Sequence, residues 1–165
     1  MADPASRRNA DRKVNRRGAA RLGAVQALYQ MDVAATPLND ILAEFESHWL
    51  GREVEGSQYL PAEAAFFREI VVGYVREQRR LDPLIDRTLA GGWPLKRVEA
   101  VLRAILRAGA YELDHRRDVP ARVVVSEYVS VANAFLDGDE TGMVNAVLDA
   151  LARQLRAGEF GQAAG

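Results

Sequence analysis

Apolar residues recur at helical spacing along most of this chain. Leu22, Val25, Leu28 and Tyr29 form one stripe, which predicts a first helix from near Gly18. Thr36 offers a capping hydroxyl and Pro37 suits a first helical position, ahead of a second stripe at Leu38, Ile41, Leu42, Phe45 and Trp49. Residues 50–60, LGREVEGSQYL, carry two glycines and no period, as a loop would. Pro61 opens a third helix whose Phe67, Ile70, Val71, Tyr74 and Val75 face inward, running to about Arg80. Asp82-Pro83 has the form of a cap and a first-turn proline, so a separate short helix is expected there, stopped by Gly91-Gly92.

A further helix is expected from about Pro94 to Asp114, with Leu102, Ile105, Leu106 and Leu113 inward and Arg97, Arg103 and Arg107 facing away. Gly109 inside it costs about 1 kcal/mol relative to alanine, which a close helix contact would explain. The segment ARVVVSEYVSVANAFL is ambiguous at its start, because three valines favour a strand. Its polar positions decide for a helix. Ser126, Glu127, Ser130 and Asn133 fall on one helical face, and Val124, Tyr128, Val131 and Phe135 on the other. Thr141 is the expected cap of a last helix with Val144, Val147, Leu148, Leu151 and Leu155 inward. No convincing strand and no internal repeat emerge. The expected fold is all-α: a compact single-domain bundle of about seven helices over residues 16–157, between a disordered basic tail (1–15) and a frayed end (158–165).

Composition narrows this picture. At 165 residues and 48% hydrophobic content the chain can build one core. Its apolar runs are only a few residues long, so no membrane span is expected. There is no cysteine, which excludes disulfides and thiolate metal sites and fits a reducing compartment. The basic start lacks the apolar stretch of a secretory signal. The net charge of −1 hides an asymmetry. Residues 1–25 carry seven Lys/Arg against Asp3 and Asp11, while the other 140 residues hold fifteen bases and twenty-one acids. A positive end on an acidic body suits a polyanion, or alternatively serves only as a solubilising tail. Arg17 and Arg21 lie four apart on the first helix and so share a face.

Catalytic material is sparse. His48 and His115 lack metal-ligand spacing, and Glu112 and Asp114 point to different sides of their helix. No phosphate-binding glycine loop is present. No cofactor is expected. Binding remains: cations for phosphates, with Gln26 and Tyr29 near enough to contact bases. Tyr29 continues the apolar stripe, and core packing is the simpler reading of it. Glu127 is explained by a surface or interhelical hydrogen bond, and Asn145 by capping at a helix start. RNA and DNA are not separated by these features.

Five stretches together resemble the NusB family of bacterial transcription antitermination factors: ARLGAVQALYQMD (20–32), FFREIVVGYV (66–75), LRAGAYEL (106–113), DVPARVVVSEYVSVANAF (118–135) and MVNAVLDAL (143–151). The resemblance covers roughly residues 16–155. It implies an all-helical, non-enzymatic, cytoplasmic adapter. Such proteins bind single-stranded boxA RNA of nascent transcripts together with NusE, a small-subunit ribosomal protein. Through that complex they meet RNA polymerase and other Nus factors. Some members are monomers and others homodimers. The family's Arg-rich motif corresponds here to Arg16, Arg17 and Arg21, with Arg12, Lys13 and Gln26 as further expected RNA contacts. Gly18 and Ala19 stand where some members have arginine, Met143 where phenylalanine is common, and Ala146 where glycine is. Two other readings stay open: a protein–protein module without RNA contact, and an RNA-modifying enzyme of the kind whose methyltransferase domain follows a NusB-like one. The absence of a sheet-forming region and a cofactor loop argues against the second.

Overall fold

A computed structural model describes residues 4–50, 61–89 and 98–161, and within these the side chains of 5–16, 48–50 and 61–62 lie outside the description. Residues 51–60 of the expected loop, Gly91-Gly92, Pro94, and the side chains of His48, Trp49 and Arg97 fall outside the described residues; the helix expected from about Pro94 is corrected at its start, since Val98 and Glu99 are not helical and it begins at Ala100 with Glu99 at the N-cap position. Among those described, the chain forms six α-helices and no strand: α1 Pro4–Ala34, α2 Leu38–Leu50, α3 Pro61–Thr88, α4 Ala100–His115, α5 Ala121–Phe135 and α6 Gly138–Leu155, with a 3-10 turn at Ala157–Phe160.

The centre of the bundle is α4, which packs on α1, α3, α5 and α6. Ala104, Ile105, Leu106, Ala108 and Ala110 are all buried, so this helix is enclosed on nearly every side. Gly109 is the close contact anticipated above: a Cβ there would lie 2.9 Å from the Leu148 side chain of α6. Gly73 does the same for α3, with the Tyr111 ring only 2.3 Å from where a Cβ would stand. Arg103 and Arg107 do not simply face away. They are half-buried and bind Asp32 of α1, at 2.7 and 3.5 Å, and Arg107 binds Asp82 of α3 at 2.9 Å.

Several element boundaries depart from the sequence pattern for identifiable reasons. The chain is already helical at Pro4, so residues 4–15 continue α1 instead of forming a disordered tail. Third and fourth helices merge, because α3 passes through Pro83 to Thr88. Pro83 is exposed, and so is Arg79, whose carbonyl it leaves without a helical donor. Asp82 is no cap there: its carboxylate accepts from the Tyr74 hydroxyl at 2.9 Å and from Arg107. The last helix begins at Gly138 after Asp137, one turn before the expected Thr141 cap, which places Asn145 inside α6 and exposed. Residues 157–160 are tied down. Glu159 accepts from the Ala121 backbone N–H at 2.8 Å, and Arg122 and Arg153 lie over the Phe160 ring.

Candidate nucleic-acid interface

The basic end of α1 crosses the start of α3 and the end of α4, and the three meet at one phenyl ring. Phe66 is buried, and the guanidinium groups of Arg17, Arg21 and Arg116 lie 5.6, 5.3 and 5.2 Å from its ring centre. A phenyl face is electron-rich and attracts cations, so the ring gathers three like charges in one place. What separates them is the company each keeps.

Arg21 is enclosed, at 2% exposure. Its Nε donates to both Glu112 oxygens, at 3.1 and 3.0 Å, and its Nη2 to Oε1 at 2.6 Å. Glu112 is itself fully buried, and Glu127 of α5 approaches Nη1 at 3.7 Å. Burial alone would lower the Arg21 pKa. The Glu112 carboxylate, with Tyr128 and Glu127, outweighs it and holds the guanidinium above its ordinary value. Tyr128, also fully buried, stands beside this pair, and burial followed by the Glu112 charge pushes its hydroxyl well above the ordinary phenol value. The expected role of Arg21 as a surface phosphate contact is therefore corrected: its charge is committed to Glu112 in the interior. The same residues explain Glu127, which faces α1.

Arg116 is half-buried, with Glu69 and Asp118 each at 3.0 Å. Desolvation lowers its pKa, and these two carboxylates more than compensate. Arg17 is exposed and has no carboxylate partner among the described residues. It is the member of the trio whose charge is open to a ligand. Arg12, Lys13 and Arg16 belong to α1, but their side chains lie outside the described residues. The unbroken helix puts positions 13, 17 and 21 in one row at intervals of four, with 12 and 16 in a neighbouring row.

Gln26 is exposed but away from this ring. It lines a cleft of about 550 Å³ with Tyr29, Val33, Phe45 and Phe135. Tyr29 and Phe135, both expected in the core, are 39% and 46% exposed there. Their stripes turn outward toward the helix ends, where no element among the described residues covers them.

Comparison with known proteins is consistent with this architecture. The sequence model of the NusB family matches residues 18–153. A transcription antitermination protein NusB from Bradyrhizobium diazoefficiens is 73% identical over 152 residues, 92% of each chain. The chain belongs to the NusB family of transcription antitermination proteins. Among solved structures, a NusB of T. maritima aligns with TM-score 0.73 and 26% identity, over 88% of this chain and 96% of that one. A chain from a crystal structure of antitermination factors NusB and NusE in complex with dsRNA aligns with TM-score 0.70 and 23% identity, over 85% and 98%. The latter likeness shows the shared fold.

The arrangement can hold anionic groups. His115 ends α4, stacked on Tyr111 at 4.7 Å with Asp114 at 3.1 Å and Arg80 at 3.4 Å. That is an ion-pairing edge. No group of three potential metal ligands occurs among the described residues, and no helix there is long and apolar enough to cross a membrane.

Sequence reasoning missed Phe66, Arg116 and Glu112. Glu112 carried a usable signal. It falls seven residues after Ile105, inside the apolar stripe of α4, and a carboxylate placed in such a stripe requires a buried cation. Arg21 falls in the Val25–Leu28 stripe in the same way.

Proposed function

We propose that this chain is a non-enzymatic cytoplasmic adapter. It binds single-stranded boxA RNA of nascent transcripts, notably of ribosomal RNA operons, together with NusE, and joins them to RNA polymerase and other Nus factors. The observation that carries this reading is Arg17: an exposed guanidinium, without a carboxylate partner among the described residues, held over Phe66 part-way along a helix that brings further cations from positions 12, 13 and 16. Arg12, Lys13, Arg16 and Arg17 hold phosphates in this scheme. Arg21 serves by fixing α1 to α4. Family membership, and a structural relative seen with NusE and RNA, support the choice of ligand.

Phosphate contacts carry no sequence information, so a protein partner at an adjoining surface contributes selectivity. The apolar cleft with Gln26, Tyr29, Val33 and Phe135 is the surface we assign to NusE, since its exposed rings lose area from water when covered. The deciding experiment is a titration with boxA RNA, with and without NusE, at two salt concentrations. With about four phosphates held, log affinity falls with log salt at a slope near −3. Arg17→Ala weakens binding without lowering the melting temperature. A slope near zero refutes the electrostatic scheme.

The exposed cleft also favours a second reading, a protein–protein module without RNA contact. Competition for the chain by boxA RNA, but not by scrambled RNA, decides against it.

A further inference from the structure

The cationic edge continues beyond α1. Arg116, over the same ring as Arg17, is followed by the exposed Arg117. Arg117 and Arg122 line one cleft of about 490 Å³ at the turn from α4 to α5. Arg122 also lines the next cleft, about 390 Å³ between α5 and α6, with Ser126, Asn145, Arg153 and Phe160. Arg17, Arg116, Arg117 and Arg122 thus form a run in which each neighbouring pair shares a ring, a peptide bond or a cleft.

The carboxylates beside this run are engaged. Glu69 and Asp118 bind Arg116. Asp149 binds Arg153 at 2.9 Å. Glu159 accepts from Arg156 at 3.3 Å and from the Ala121 N–H at 2.8 Å. Arg117 and Arg122 have no carboxylate partner among the described residues. Ser126 and Asn145 are exposed, and their side chains make no hydrogen bond among the described residues. Asn145 stands seven residues into α6, where asparagine weakens a helix relative to alanine and caps nothing. Its amide and the Ser126 hydroxyl present donors and acceptors to one groove.

We propose that the α5–α6 groove is a nucleotide subsite. Arg117 and Arg122 hold phosphates of the strand that leaves Arg17, and Ser126 and Asn145 hydrogen-bond the edge of one unstacked base. This rests on the RNA-binding reading above and supplies what the arginine row lacks. Guanidinium–phosphate contacts position a strand, whereas an amide distinguishes base edges by their donor and acceptor pattern.

The test uses end-labelled boxA RNA and a set of the same RNA with each base changed in turn, measured by fluorescence anisotropy at several salt concentrations. The variants are Arg17→Ala, the pair Arg117→Ala with Arg122→Ala, and Asn145→Ala. All four positions are exposed, and unchanged thermal melting confirms folding. The paired arginine variant is expected to bind about tenfold or more weakly, with a salt slope shallower by about 1.4, or roughly 0.7 per lost phosphate. Asn145→Ala is expected to keep the salt slope and lose discrimination, about five- to tenfold, at a single base position. If Arg17→Ala weakens binding while the paired variant does not, RNA stays on α1 and the subsite is refuted with the adapter reading intact. If Asn145→Ala weakens every RNA equally, or none, the groove reads no base. If the unaltered chain binds no RNA, the adapter reading fails, and the subsite with it.

Discussion

Removing one partner of the Arg21–Glu112 pair should cost far more stability than its place in an Arg-rich motif suggests. Both side chains are essentially out of water, and three charge-assisted hydrogen bonds of 2.6–3.1 Å join them. Arg21→Met leaves the Glu112 carboxylate buried without its cation, and an uncompensated interior charge costs about 3–5 kcal/mol. Domains of this size have roughly 5–15 kcal/mol in total. At about 2–4 °C per kcal/mol, the melting temperature falls by roughly 6–20 °C. Glu112→Leu alone should cost a similar amount. The double variant Arg21→Met with Glu112→Leu should recover most of the loss, because an apolar pair of comparable volume needs no compensation. Urea unfolding of the four proteins gives the coupling energy as a double-mutant cycle. The reasoning fails if Arg21→Met alone costs under about 1 kcal/mol while RNA affinity collapses, since Arg21 would then act at the surface.

Three further outcomes follow from the packing. Arg156→Ala removes a buried guanidinium that donates to the carbonyls of Glu112, Leu113, Val119 and Arg116, so urea unfolding should show a loss of about 3 kcal/mol; under 1 would show that water replaces it freely. Gly73→Ala drives a methyl into the Tyr111 ring and should cost about 2 kcal/mol, relieved when Tyr111 is also shortened to alanine; strict additivity would refute the clash. Tyr128 keeps its proton in the folded chain to well above the unfolded value of 10.0, so its contribution is complete below that pH and declines above it. The decline is about 1.4 kcal/mol per pH unit, and Tyr128→Phe should make the alkaline fall in urea midpoint shallower by that share. An unchanged pH profile would mean the hydroxyl is not held by its surroundings.

Helical periodicity made most of the fold legible, including the valine-rich segment that became α5, because Ser126, Glu127, Ser130 and Asn133 cannot share a face in any other regular structure. Local punctuation was less dependable. Asp82-Pro83 has the chemistry of a helix start, yet Tyr74 and Arg107 claim the Asp82 carboxylate and the helix runs on. These partners lie 8 and 25 residues away, beyond what a local signal contains. The proposed site can be read from the sequence only as a cluster of cations, without the partners that sort them. The concentration of cations pointed to α1, and Arg17 lies where a ligand can reach it. That Arg21 turns inward depends on Glu112, 91 residues later, and on Phe66 arriving from α3 to gather the guanidinium groups. Tertiary partners of that separation are settled by packing, which a one-dimensional pattern does not record.

The anchoring of Arg156 sets an order of events during synthesis. The carbonyls it satisfies belong to residues made 37 to 44 positions earlier. While a ribosome extends the chain from its N-terminus, those groups stay hydrated and the corner carrying Arg116 is unfinished. The edge assigned to RNA is therefore sealed among the last parts of the molecule, by a side chain near its far end. A nascent chain halted just before residue 156 would carry all six α-helices but leave that corner open to water.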